Sequence, residues 1–243
     1  MRLSNRLSTI QSIAEHAHKQ YNYDYIWDTC CDHGQLGAAL LKNGISSQLF
    51  FVDIVPELMA NLEQNLKQFF PNQQHQWQVL CEDVSCLPLN RIEKPNGKHL
   101  IIIAGVGGDL MLEFITQLKQ RFPDLALDFL LCPVHHQFSL RNQLRKMEFS
   151  LHHEEVVEEN RRFYEVLLVT TASLPQSQKV SVVGEALWQY QTATEQNMLE
   201  RYLSKTLEHY KRMQKGNSNL ADSALASYER VKIEKASLQF TSK

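Results

Sequence analysis

Apolar residues at Leu3, Leu7, Ile10, Ile13, Ala14 and Ala17 recur at three- and four-residue steps, and Ser4 stands where a helix cap belongs. The first twenty residues are therefore predicted to form an amphipathic helix. From Tyr25 the rhythm changes. The short apolar runs YIWDTC, QLFFVDI, WQVLCED, HLIIIAGV and LDFLLCP alternate, up to Cys132, with the helical stretches LGAALLKN, PELMANLEQNLKQFF and GDLMLEFITQLKQ. Runs that are apolar on both sides and separated by helices predict a parallel sheet with helices on both faces. A further helix, FSLRNQLRKM, leads into FSLHHEEVVEE and RRFYEVLLVTT. These read as two strands joined by a polar turn around Asn160, an antiparallel hairpin that closes the sheet's edge.

The stretch from Ser173 to Lys179 is polar and contains Pro175, which suits a linker out of the sheet. From about Val183 to Met213 apolar residues fall at helical spacing (Leu187, Tyr190, Leu199, Leu203, Leu207, Tyr210), KGNSN interrupts, and Leu220 to Leu238 resumes the pattern. Two helices folding back as an antiparallel coiled coil is the simplest picture. A helical pair that packs on the sheet or dimerises satisfies the same pattern. The expected organisation is thus an α/β domain over residues 1–173, followed by a helical coiled-coil domain over residues 174–243.

The 243 residues, 43% hydrophobic and 21% charged, suit one large globular domain or one domain with an appendage and exclude collagen-like, mucin-like or disordered chains. Lys plus Arg number 25 against 27 Asp plus Glu, so no global basic field announces a polyanion partner. The charge is nonetheless segregated. From Gln176 onward there are about 10 basic and 7 acidic residues, roughly +3, which leaves the first 175 near −5. No apolar run approaches the roughly 20 residues of a membrane helix, and the start lacks the apolar segment of a signal peptide. A cytoplasmic protein without a membrane partner is expected. The five cysteines (Cys30, Cys31, Cys81, Cys86, Cys132) lie in or beside apolar runs, where reduced thiols pack as small hydrophobes.

Ligands of open parallel sheets bind at the carboxyl ends of the strands, and here those ends are acidic. Asp28 ends the first run and is followed by Thr29-Cys30-Cys31-Asp32-His33-Gly34; Asp53 ends the second, and Asp83 follows the third. A dinucleotide fold would want three spaced glycines in the first loop, but only Gly34 and Gly37 are there. Two carboxylates would repel a diphosphate, yet they suit a ligand carrying an ammonium and a sulfonium, as S-adenosylmethionine does. Asp28, Asp32 and the loop amides would then line its methionine end. Gly34 would let the next helix start close by, Asp53 would accept both ribose hydroxyls, and Asp83 with Val84 would hold the adenine edge. The same aspartates also suit helix N-terminal positions, where a carboxylate caps free amides. The fourth run ends in Ile103-Ala104-Gly105-Val106-Gly107-Gly108-Asp109, so its backbone either turns sharply or lies against a flat ligand. The adjacent pairs His135-His136 and His152-His153 are poor zinc geometry, because neighbours on a strand face opposite sides, and no metal site is expected.

Leu3-Ser-Asn-Arg-Leu7, Asp28-Thr-Cys-Cys-Asp-His33, Val52-Asp-Ile54, Asp83, Ile103-Ala-Gly-Val-Gly-Gly108, Cys132-Pro133 and Phe163-Tyr-Glu-Val166 together resemble the bacterial tRNA (adenine-22, N1) methyltransferases. The resemblance runs through most of the first 170 residues. It departs where that family usually has Ile-Gly-Ser (Thr29-Cys30-Cys31 here), Met (Val106) and Gln before the proline (Cys132), which marks a divergent branch. It implies a Rossmann-like class I methyltransferase sheet with a C-terminal coiled coil, S-adenosylmethionine as cofactor and tRNA as partner, and leaves the oligomeric state open.

Carried onto this chain, the resemblance implies cofactor contacts at Asp28, Cys30, Asp32, His33, Gly34, Asp53, Ile54, Asp83, Val84, Ala104 and Gly105. Substrate contacts would come from Arg6, Val106, Gly107, Gly108 and Pro133. Asp32, His33 and Gly107 would position the reacting groups, with Asp32 and His33 at the floor of the pocket, Arg6 reaching substrate phosphate and Gly105–Gly108 giving the base room to lie flat. Adenine N1 is unprotonated near neutral pH and can attack a methyl group without a general base, so no catalytic dyad is needed. Two other readings fit the same residues: methyl transfer to a different acceptor, and a binding module without chemistry.

Overall fold

A computed structural model describes residues 3–94, 96–173, 178–216 and 219–235. Helix α1 (Asn5–Tyr21) begins as its spacing predicts, with the Ser4 hydroxyl accepting from the Leu7 amide at 3.3 Å. It ends at Asn22, which takes the left-handed conformation at φ 55°. There follow β1 (Tyr25–Thr29), α2 (Gln35–Lys42), β2 (Gln48–Asp53), α3 (Pro56–Phe69), β3 (Trp77–Cys81), β4 (His99–Ala104), α4 (Gly108–Arg121), β5 (Leu127–Cys132) and α5 (Gln137–Lys146). Strands β1 to β5 are parallel, and β6 (Ser150–Glu159) and β7 (Arg162–Thr170) form the expected antiparallel hairpin.

The sheet order is β3-β2-β1-β4-β5-β7-β6-β8, where β8 is Gln178–Lys179. The order reverses at β1, whose residues pair with both neighbours: Asp28 stands opposite Phe51 on β2 and Ile102 on β4. A ligand crevice is expected outside the carboxyl ends of the strands at such a point. Alternate residues of each strand feed two cores. On one face Trp27, Ile101, Phe129 and Leu167 pack with Met111 and Ile115 of α4 and Leu140 of α5. On the other, Ile26, Phe51, Leu100 and Leu130 pack with Ile10 of α1, Leu40 of α2 and Leu62 of α3. The indole of Trp27 stacks on Phe50 at 4.0 Å between centroids and donates to His99 Nδ1 at 3.1 Å.

The C-terminal part departs from the periodic reading in three ways. Of the supposed linker, Pro175 lies outside the described residues, but Gln178 and Lys179 return to the sheet and pair with Leu151 and Ser150 on the outer edge of β6. An edge with unpaired amides and carbonyls attracts any extended segment long enough to cover it. Leu187 and Tyr190 are not helical: Leu187 sits in a short 3-10 turn, and Tyr190 in β9 (Gln189–Tyr190), paired with β10 (Glu234–Lys235). The first long helix, α6 (Ala193–Gln214), starts later at Thr192, where Thr192 and Glu195 form a reciprocal capping box. The second, α7 (Asn219–Tyr228), stops well before Leu238, which lies outside the described residues.

Helices α6 and α7 fold back on each other, Tyr210 stacking on Tyr228 at 5.8 Å. Their buried residues also pack against Phe138 of α5, Val156 of β6 and Trp188, so the sheet and the helical pair share this core. Arg141 of α5 is buried at its centre. It donates to Glu154 of β6 at 2.7 Å, to Glu165 of β7 and to the Ser181 carbonyl at 3.1 Å, while Tyr202 of α6 donates to Glu165.

Candidate functional site

The loop between β1 and α2 is held by the ends of its neighbours. Thr29 Oγ1 donates to the Ile102 carbonyl at 2.7 Å, the Cys31 amide to the Val52 carbonyl at 3.2 Å, and the Gly34 amide to the Cys31 carbonyl at 2.7 Å. The backbone alternates through the left-handed region at Cys30 (φ 51°), Asp32 (φ 50°) and Gly34 (φ 65°). Such a path is costly for residues with a Cβ. Cys30 occupies the place of the glycine expected by resemblance and keeps the conformation that glycine would favour.

Asp28 is buried, and its Oδ2 accepts from the Gly37 amide in the first turn of α2 at 2.8 Å. Burial, partly offset by that amide, and the neighbouring charge of Asp53 push its carboxyl up to about 7. Gly37 has no room for a side chain, since a Cβ would stand 2.3 Å from the Phe51 ring. Burial and the surrounding aspartates raise the thiols as well, to about 12 for Cys30 and higher for Cys31. Neutral near pH 7, these two side chains wall the loop as small apolar groups.

A cavity of about 460 Å³ opens at the carboxyl ends of β1 and β4. Of the residues singled out in the sequence, Arg6, Asp28, Cys30, Asp32, His33, Ala104, Gly105 and Val106 line it, whereas Gly34, Asp53, Ile54, Asp83 and Val84 do not; Leu7, Thr29, Cys31, Gln35 and Leu36, which residue chemistry alone had not selected, complete the lining. Two placements within the lining differ from expectation. Asp32 and His33, 3.6 Å apart with side chains 68% exposed, form the rim of the cavity and not its floor. Arg6 is packed: its amide donates to Glu159 at 3.1 Å and its guanidinium lies 5.0 Å over the Tyr164 ring. A side chain held this way forms a wall and does not reach outward to a phosphate.

On the β2 side of the loop, Asp53 accepts from the Asp32 amide at 3.1 Å and the Val55 amide at 3.2 Å. Beside it in the chain Ile54 is a large apolar side chain that is 64% exposed. Asp83 is turned toward Ser85, accepting from its amide at 2.8 Å and from its hydroxyl, and so caps a 3-10 turn; Val84 is buried in the core. At this position the capping alternative describes the carboxylate, and any contact to a ligand edge would come from backbone.

Of the glycine segment only Gly105 is open: its φ is 87° and nothing stands within 4 Å of where a Cβ would be. A Cβ on Gly107 would meet the His135 ring at 2.1 Å, and one on Gly108 the His136 carbonyl at 2.8 Å. The expected flat space over Gly107 and Gly108 is therefore filled by the loop after β5, because the Gly108 amide donates to the His135 carbonyl at 3.0 Å and draws that loop close. Pro133 is buried beneath it and lines neither this cavity nor the larger groove on the other side of the loop. His136, in the left-handed region, pairs with Asp109 at 2.5 Å across the start of α4. Among the described residues no group of three or more His, Cys, Asp and Glu side chains could hold a metal ion, and no helix is long and apolar enough to cross a membrane.

A family of methyltransferase domains matches residues 3–167. No curated protein matches the chain by sequence. Among solved structures, TrmK of M. capricolum in complex with S-adenosyl-homocysteine is 14% identical, with a TM-score of 0.67 over 94% of each chain. The m1A22 tRNA methyltransferase TrmK of B. subtilis is 20% identical, with a TM-score of 0.59 over 94% of each chain. Magnesium protoporphyrin IX methyltransferase of Synechocystis with bound S-adenosylmethionine is 16% identical, with a TM-score of 0.52 over 68% of this chain and 79% of its own. At these identities the likeness is one of fold, and it establishes the Rossmann-like methyltransferase architecture.

Proposed function

The chain belongs to the methyltransferase-domain family, and on that premise we propose that it is an S-adenosylmethionine-dependent tRNA methyltransferase acting on N1 of an adenine, position 22 being the target of the B. subtilis neighbour. One observation carries the choice of acceptor. The tRNA enzymes match 94% of this chain, far enough to include its C-terminal helices, whereas the porphyrin enzyme matches 68%. What sets this chain apart from other methyltransferase sheets is the part it shares with enzymes that act on tRNA.

The residues present fit the cofactor. The open backbone at Gly105, the Asp53 carboxylate and the exposed Ile54 would hold the adenosine, and Asp28 and Asp32 the methionine end. When bound, S-adenosylmethionine supplies a methyl group made electrophilic by its sulfonium. Asp28 then has a second role, because a cation placed against the cavity offsets both burial and the Asp53 charge and favours its ionised form. The walls contributed by Leu7, Leu36, Cys30 and Val106 exclude water, so an unpaired adenine N1 meets the methyl donor in a desolvated setting and needs no base. The base must be caught unpaired or flipped from its stack, at a cost of about a few kcal/mol.

The same proposal divides the chain functionally at 173/174, since every residue lining the cofactor cavity precedes that point. It also includes a cytoplasmic setting, where tRNA is made and matured. Incubating the full chain with unmodified bulk tRNA and labelled S-adenosylmethionine, then mapping the modified nucleoside, tests it. N1-methyladenine at one tRNA position is expected. Methyl transfer only to another acceptor overturns the substrate, and absence of cofactor binding in a titration overturns the enzyme.

A further inference from the structure

A cavity of about 590 Å³ lies on the far side of the loop after β5, between the tip of the β6–β7 hairpin and helices α6 and α7. Its lining is one-sided in charge. Arg161, Arg162 and Lys205 face it beside His135, His136 and His209, and among the described residues no aspartate or glutamate lines it. This occurs in a chain of net charge −2. Neither Arg161 nor Arg162 forms an ion pair with a carboxylate among the described residues. Lys205 is oriented by the Arg161 carbonyl, to which it donates at 2.8 Å, and lies 5.0 Å over the Phe163 ring.

Between the cations the walls are aromatic, with Phe163, Tyr164 and the buried Tyr210 lining the groove. A cationic groove interleaved with rings is the arrangement that holds an unpaired nucleic-acid strand, phosphates on the charges and bases on the rings. The groove also adjoins the cofactor cavity across a thin partition. The Val134 amide, on the groove side, donates to the Val106 carbonyl, on the cavity side, at 3.0 Å; Arg6 of the cavity stacks on Tyr164 of the groove.

We propose that this groove is the track for the RNA strand next to the target adenine, with Arg161, Arg162 and Lys205 on its phosphates and Tyr164 at the passage toward the methyl donor. The inference rests on the tRNA reading above and deepens it. It places the RNA contacts at the seam where the C-terminal helices and the hairpin tip meet.

The test uses the full chain and an unmodified tRNA transcript. Arg161→Glu/Arg162→Glu is compared with Lys42→Glu/Lys67→Glu, which makes the same charge change on exposed lysines of α2 and α3. Binding is measured across a salt series, with S-adenosyl-homocysteine affinity and thermal unfolding as readouts of an intact fold. The groove variant is expected to bind tRNA at least tenfold more weakly. The slope of log affinity against log salt should fall by about 0.7 to 0.9 per lost phosphate contact, and cofactor affinity should stay the same. Equal loss in both variants overturns the groove and leaves a diffuse electrostatic effect. Unchanged tRNA affinity in the groove variant, with methylation intact, overturns the groove alone. Wild-type protein that neither binds nor methylates tRNA overturns the tRNA reading and the groove together.

Discussion

Replacing Arg141 with methionine should be among the most damaging single changes in the molecule. The side chain is fully buried, and so are both carboxylates it serves, Glu154 and Glu165. One guanidinium neutralises two acids taken out of water, and those acids in turn hold the C-terminal part: Glu154 accepts from the Ala186 amide at 3.0 Å, and Glu165 accepts from Tyr202. Removing one partner of a single buried pair costs about 3–5 kcal/mol, mostly from the charge left behind. With two carboxylates abandoned, Arg141→Met should fall at the upper end, a large share of the roughly 5–15 kcal/mol that holds a typical domain. The triple variant Arg141→Met/Glu154→Gln/Glu165→Gln removes the stranded charges and keeps amide oxygens that can still accept from Ala186 and Tyr202. It should regain at least half of the loss. Urea unfolding followed by the fluorescence of Trp188, stacked on Tyr202 at 5.4 Å, reads out the junction directly. A loss under about 1 kcal/mol at pH 7, or a triple variant no more stable than the single one, would refute the reasoning.

Asp53→Ala should weaken cofactor binding about tenfold or more, because a charge-assisted interaction with the ribose hydroxyls is worth about 1.5–3 kcal/mol; an unchanged dissociation constant by calorimetry in a folded variant rejects the assignment. Gly107→Val should keep cofactor affinity but lower methyl transfer by pushing the exposed His135 ring out of place; the double variant with His135→Ala should be no worse than His135→Ala alone, and additive losses would exclude the clash as the cause. Asp28, with its carboxyl raised to about 7, holds a proton in the folded state that the unfolded chain releases near pH 4. Its contribution to stability, on the order of 4 kcal/mol, is therefore complete below pH 4 and lost as pH rises through 7, while affinity for a cationic cofactor increases over the same upper range. Asp28→Asn should flatten both profiles, and thermal unfolding curves that shift with pH as in the wild type would show that another group is responsible.

The alternation of apolar runs, the Ser4 cap and the acidic residues at strand ends were legible because each depends on a few neighbouring positions. Strand burial on two faces, cap chemistry and the strand-end location of ligand sites follow from local pattern and from the general geometry of parallel sheets. So did the loop from Asp28 to Gly34 and the open backbone at Gly105. Tertiary structure alone decided which way those groups face. Asp83 turned toward Ser85 to cap a 3-10 turn, and the space over Gly107 was filled by a histidine 28 residues away in the chain. Arg141, in the sequence one more basic residue beside Arg145 and Lys146, became a buried counter-ion because Glu154, Glu165 and Tyr202 converge on it from three other elements. Arg161 and Arg162 stand together in the sequence, but the groove they join was not legible there, for the same reason. Its basic side chains and histidines come from the loop after β5, a hairpin tip and a C-terminal helix, and residues so far apart in the chain form one surface only when the sheet edge and α6 pack together.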